Sequence, residues 1–146
     1  MKSTVPGAPI EVLLVEDNVD DADLTRRALE QAKVHNQVHH VTSGVEALAF
    51  LRREGRFAGA QPPDLILLDL NLPGMDGREL LKIVKADERL RHIPVVVVTG
   101  SHVDADVRES YRLHANAYVK KPVNTQDFLE AVNSIEQFWL QIVRLP

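Results

Sequence analysis

Five short apolar runs, each followed by a segment with helical patterning, constrain this chain more than any other feature. They are IEVLLV (Ile10–Val15), the weaker Asn36–Val41, Leu65–Asp69, IPVVVVT (Ile93–Thr99) and the brief Ala117–Val119. The first, third and fourth are almost unbroken in Val, Ile and Leu. A strand built from them has no polar face to give to water. Strands of this kind, alternating with helices, form a parallel sheet covered on both sides and joined by right-handed crossovers.

The segments between carry helix signals. Asp20–Ala32 places Leu24, Ala28 and Ala32 at helical spacing. Ser43 to Glu46 spells S-x-x-E, a capping box that opens a helix through Arg53. Asp76 caps another that runs to Asp87. Asp104–His114 is a fourth predicted helix and Thr125–Val143 a long final one. Gly55–Asp64 is rich in Gly and Pro and reads as a loop, and Arg52-Arg53 as a solvated helix face. Residues 1–9 read as a flexible tail. Residues 10–146 read as a single domain, since 146 residues suit one core.

Composition narrows the function classes. There is no cysteine, hence no disulfide framework and no thiol chemistry. The net charge of -4 offers no footprint for nucleic acid or anionic membrane. No apolar run approaches the ~20 residues of a membrane span, and the start lacks a signal-peptide core. The expected location is the cytoplasm. The six histidines, His39-His40 among them, read as solvated or packing residues rather than zinc ligands. Only Arg144-Leu-Pro146 follows Val143, too little for an output domain. No helix-turn-helix is evident, so a stand-alone, non-DNA-binding unit is expected.

In a parallel α/β sheet the functional crevice lies outside the carboxyl ends of the strands. Glu16-Asp17 follow the first strand, Asp69 ends the third, Thr99 the fourth, and Lys121 follows the fifth. Each has an ordinary reading alone: Asp17 a cap, Asp69 a turn residue, Thr99 a strand end, Tyr118 a half-buried core aromatic. Together they point to phosphoryl chemistry. Clustered carboxylates repel unless a cation joins them, and Mg²⁺ favours such oxygen ligands. A lysine and a hydroxyl suit phosphoryl oxygens, and an aspartate can be a nucleophile.

Glu16-Asp17, Asp69, Thr99 and Lys121-Pro122, with LNLPGMDG after the aspartate, resemble the receiver domain of two-component response regulators from about Ile10 to Val132. The resemblance implies a flavodoxin-like (βα)5 fold, with strand order 2-1-3-4-5. It implies Asp69 as phospho-acceptor. Mg²⁺, or Mn²⁺, would be held by Glu16, Asp17, Asp69 and the backbone carbonyl of Asn71. Glu16 stands where many members have Asp, so its contact is either direct or through water. Lys121 would pair with the phosphoryl group, its bond to Pro122 cis, with Lys120 turned away. Thr99 and Tyr118 would be switch residues, and Gly100 would leave room beside the phosphate. Asn71 and Ser101 hold the positions that tune dephosphorylation.

In the final helix Phe128, Val132, Ile135, Trp139 and Ile142 form a stripe for the sheet, while Phe138, Leu140, Val143 and Leu145 add apolar surface off it. Phe138, Trp139, Leu140, Ile142 and Val143 are therefore a candidate homodimer interface. VEDNVDDADLTRRAL, the GRFAGAQPP loop and FWLQIVRLP are similar to the small response regulators of bacterial phytochrome kinases. The expected protein is a switch that takes a phosphoryl group from a histidine kinase and alters its fourth helix, fifth strand and final helix. It turns over no external substrate. A phosphate sink without an effector is chemically equivalent. A metal-dependent phosphatase would need a carboxylate two residues after Asp69, where Asn71 stands.

Overall fold

The computed structural model describes residues 9–31, 35–100, 113–121 and 123–133. At Thr99, Val132 and Asn133 it describes the backbone alone. Strand β1 (Ile10–Val15) lies between β2 (Asn36–Val41) and β3 (Leu65–Leu68). Beyond β3 come β4 (Val95–Thr99) and β5 (Ala117–Lys120), in the order β2-β1-β3-β4-β5. Every pairing is parallel. The fold is the flavodoxin-like one that the sequence resemblance implies.

Alternation along each strand builds two cores. Leu13, Val15, Ile66, Leu68, Val95 and Val97 face one side, against α2 (Gly44–Arg52) and α3 (Gly77–Ala86). Val12, Leu14, Leu65, Leu67, Val96 and Val98 face the other, with residues of α1 (Val19–Gln31) and α4 (Thr125–Asn133). Leu13, Leu65 and Leu67 have no exposed surface. Burying each is worth roughly 1.5–3 kcal/mol. The three central strands can be apolar throughout because both faces are covered.

The caps form as the sequence indicates, with one change. Ser43 Oγ accepts from Glu46 N at 3.1 Å, and Asp76 Oδ1 from Arg78 N at 2.8 Å. The Glu46 carboxylate, however, receives the N–H and hydroxyl of Thr42, at 3.2 and 2.7 Å. The reciprocal half of the box is thus displaced by one residue. Glu46 also pairs with Arg56, which tethers the Gly-rich loop. That loop contains a 3-10 turn, Gly55–Phe57.

Some edges differ from expectation. β4 begins at Val95, because Pro94 has no N–H for the ladder. Leu24 is 38% exposed. The buried residues of α1 are Ala22, Thr25, Ala28 and Leu29, so the helix packs through a stripe that leaves Leu24 partly exposed. The predicted helix Asp104–His114 lies outside the described residues except at its end. So do residues 1–8 of the tail, Ser101, Pro122, and Phe138, Trp139, Leu140, Ile142 and Val143. Of the final stripe, Phe128 is described and buried.

Candidate functional site

The carboxyl ends of β1, β3 and β5 meet on one rim. Glu16 directly follows β1, and its N–H donates to Val41 O at 3.0 Å, which fixes it against β2. Asp69 directly follows β3, and its N–H donates to Val15 O at 3.0 Å. The register pairs Val15 with Leu68, so the two carboxylates emerge side by side. Glu16 is 1% exposed and Asp69 4%. Two buried carboxylates require partners.

Their shared partner is Lys121. Its Nζ lies 2.6 Å from Glu16 Oε1, 3.0 Å from Asp69 Oδ2 and 2.9 Å from Asp21 Oδ2. Backbone donors complete the set. Asn71 N donates to Asp69 Oδ1 at 3.0 Å, and Asn18 N to Glu16 Oε2 at 3.2 Å. Burial pushes the Glu16 carboxyl up, to about 7, with Lys121 pulling it down and Asp69 adding to the rise. Burial opposes the charge of Lys121, but Glu16, Asp21 and Asp69 outweigh it and hold the ammonium above its ordinary value.

Glu16, Asp17 and Asp69 each offer an oxygen, all within 4.8 Å of one another, and Asp17 is exposed. Two buried acids and one open to solvent, all hard oxygen donors, fit a divalent cation that keeps some of its water. Among the described residues this is the one group of acids and imidazoles with that property.

The sequence-predicted residues come together in most cases. Thr99 closes β4, paired in register with Lys120. Tyr118 pairs with Val97 and packs, half-buried, against the core beside α2 and α3. Lys120 is exposed while Lys121 turns inward, as expected. Asn71 is exposed at the rim.

Four residues have roles that the sequence reading missed. Asp21 is one acid among several in VDDAD, and first-turn acids read simply as complements to the helix dipole. His40 is not merely solvated or packing. Its Nε2 donates to the Glu16 backbone carbonyl at 2.6 Å. His39 pairs with Glu11 at 2.6 Å and packs on Phe50. Gly77 lets the start of α3 reach the backbone beneath the site. A Cβ there would lie 2.3 Å from Asp69 O and 2.6 Å from Leu70 Cα, while Gly77 N donates to Leu70 O at 2.9 Å. Helix propensity gave only a weak signal, since glycine is disfavoured relative to alanine inside a helix.

The fold and this rim define a phosphorylation-dependent signalling domain, and the chain belongs to the response regulator receiver domain family, which its residues 12–133 match. Among its relatives, the response regulator Rcp1 of Synechocystis sp. is 44% identical over 138 residues, covering 94% of each chain. The phosphorylated cyanobacterial phytochrome response regulator RcpA is 47% identical, with 95% of this chain and 99% of that one covered and a TM-score of 0.78. The Mn²⁺-bound form of Rcp1 superposes with a TM-score of 0.76 at 43% identity, covering 94% and 99%. Among the described residues, no helix is long and apolar enough to cross a membrane.

Proposed function

We propose that Asp69 accepts a phosphoryl group from the phosphohistidine of a phytochrome-type histidine kinase in the cytoplasm. A carboxylate oxygen of Asp69 attacks phosphorus, a P–O bond forms, and the P–N bond to imidazole breaks. The departing nitrogen keeps the electron pair and takes a proton from solvent. The observation that carries this reading is the buried Asp69 carboxylate held 3.0 Å from the Lys121 ammonium beside two further acids.

Glu16, Asp17, Asp69 and the Asn71 carbonyl would hold Mg²⁺, or Mn²⁺, which when bound offsets charge on the transferring phosphoryl oxygens. Lys121 follows the charge as it leaves the carboxylate and builds on the phosphoryl oxygens. The Thr99 hydroxyl donates to one of them, and Tyr118 moves inward as Thr99 shifts. β5, α4 and the segment Asp104–His114 then present a changed surface, a shift between two populations. Asn71 and Ser101 control water access to the acyl phosphate and so its lifetime. Phe138, Trp139, Leu140, Ile142 and Val143 form a homodimer contact. No external substrate is turned over. The similarity to Rcp1 and RcpA supports the phytochrome pathway.

Acetyl phosphate with Mg²⁺ tests the acceptor. Intact-protein mass should rise by one phosphoryl group, and Asp69→Asn should abolish the gain. Full labelling of Asp69→Asn would place the acceptor elsewhere.

A further inference from the structure

An ammonium has three N–H bonds to give, and in this structure Lys121 gives all three to carboxylates. Two belong to the acid group able to share a cation, Glu16 and Asp69. The third, Asp21, lies outside that group and reaches Lys121 from the first turn of α1. It is not a loosely placed surface acid. Its N–H is held by Asn18 Oδ1 at 3.0 Å, and its carbonyl accepts the Thr25 hydroxyl at 3.1 Å. Thr25 and Ala22 beside it are buried. The Asp21 carboxylate is therefore delivered to Lys121 by the docking of α1, with its side chain 32% exposed.

The three partners fare differently when a phosphoryl group arrives. On the reading that Asp69 is the acceptor, which this inference rests on, Asp69 loses its negative charge to the new bond. Glu16 belongs to the cation-binding group. Asp21 alone keeps its full charge and has no part in either event. With three donors already committed, Lys121 can meet a phosphoryl oxygen only by loosening one of these bonds.

We infer that Asp21 is a positioning residue that holds Lys121 in the resting site and competes with the phosphoryl group for its ammonium. Asp21 thereby weakens the site for a tetrahedral phosphoryl-like anion and biases the domain toward its unphosphorylated form. It acts through Lys121 and touches neither reacting atom.

The test uses the full chain at fixed Mg²⁺, titrated with beryllofluoride as the phosphoryl mimic and followed by ¹⁹F NMR. Asp21→Asn should tighten the apparent affinity about threefold to tenfold, the scale of one partly exposed ion pair. Asp20→Asn removes the same charge from the same turn at an exposed position, and should leave the affinity at the wild-type value. Unchanged or weaker binding by Asp21→Asn would overturn the competition. An equal gain in Asp20→Asn would overturn it too, since the effect would then be one of general charge. Wild-type protein that takes up no beryllofluoride would instead overturn the acceptor reading, and this inference with it.

Discussion

Two lysines at opposite ends of the sheet show what partner chemistry does to the same side chain. Lys121, at the carboxyl ends, is surrounded by Glu16, Asp21 and Asp69. Lys85, in the last turn of α3, lies near the amino ends. Its Nζ donates to Arg91 O at 3.1 Å, Ile93 O at 2.8 Å and Asn116 Oδ1 at 3.1 Å. Asn116 Oδ1 also receives Val95 N at 2.8 Å, at the start of β4. Both ammoniums are partly desolvated, yet they respond in opposite directions. Burial pushes Lys85 down to about 8, whereas three anions hold Lys121 above its usual range. Neutral carbonyls are permanent partners, so Lys85 fastens α3 to β4 and β5. Carboxylates can be neutralised or engaged elsewhere, so the bonds of Lys121 can be exchanged. One end of the sheet is tied and the other is poised.

The largest effect expected from breaking this contrast is at the poised end. Lys121→Met leaves Glu16 and Asp69 buried together without their cation. Removing one member of a buried charge set costs about 3 kcal/mol, the lower end of the usual range because Asp21 and Asp17 remain solvated. The folded pKa of Lys121 lies above its unfolded value, so its contribution is fully present at neutral pH and is lost only as strongly alkaline pH is reached. Urea unfolding at pH 7 without divalent metal should show the full loss. Saturating Mg²⁺ should restore part of it, since a cation again sits among the acids. A loss of the same size with and without Mg²⁺ would mean that Lys121 does not balance the carboxylates.

How much of this contrast could be read beforehand differs between the two ends. At the carboxyl rim, strand ends are fixed by hydrophobic runs, and whatever follows each run must land on the same edge. Glu16, Asp69 and Lys121 were therefore legible as one cluster from sequence order alone. Ser43 and Asp76 were legible as caps, because N-cap chemistry is local. Asp21 was not, because its role depends on how α1 docks, and helical spacing alone did not show that Leu24 lies partly exposed. Lys85 and Asn116 gave no signal at all. Lys85 and Asn116, 31 positions apart in the chain, are ordinary polar residues until the fold brings α3 beside the starts of β4 and β5. His40 is of the same kind, since a strand-edge imidazole reads as solvated until the Glu16 carbonyl is placed beneath it.

The tied end should yield a smaller effect. Lys85→Met removes a charged donor from two backbone carbonyls and from Asn116, which retains its bond to Val95 N. The expected cost is about 1.5 kcal/mol, the scale of a hydrogen bond to a charged group. Phosphoryl uptake from acetyl phosphate should match that of wild type, and added Mg²⁺ should not recover the lost stability. If Mg²⁺ did recover it, the amino ends would be coupled to the carboxyl rim, and the division into a tied and a poised end would fail.

The pH dependence is the most specific check, because it reads the opposite pKa displacement directly. Lys85 is held near 8 in the folded chain against an ordinary 10.5. Between those values the unfolded chain binds more protons at this site than the folded chain does. Stability contributed by Lys85 must therefore rise with pH across that window and level off beyond it. Other lysines and tyrosines titrate there too, so the quantity to follow is the difference in urea midpoint between wild type and Lys85→Met. That gap should widen from pH 8 toward pH 10.5, because only wild type has an ammonium to discharge at this position. A gap that narrows instead would mean that Lys85 is stabilised as a cation, as Lys121 is. The neutral carbonyls would then be serving it as well as carboxylates do, and partner charge would no longer explain why the two lysines differ.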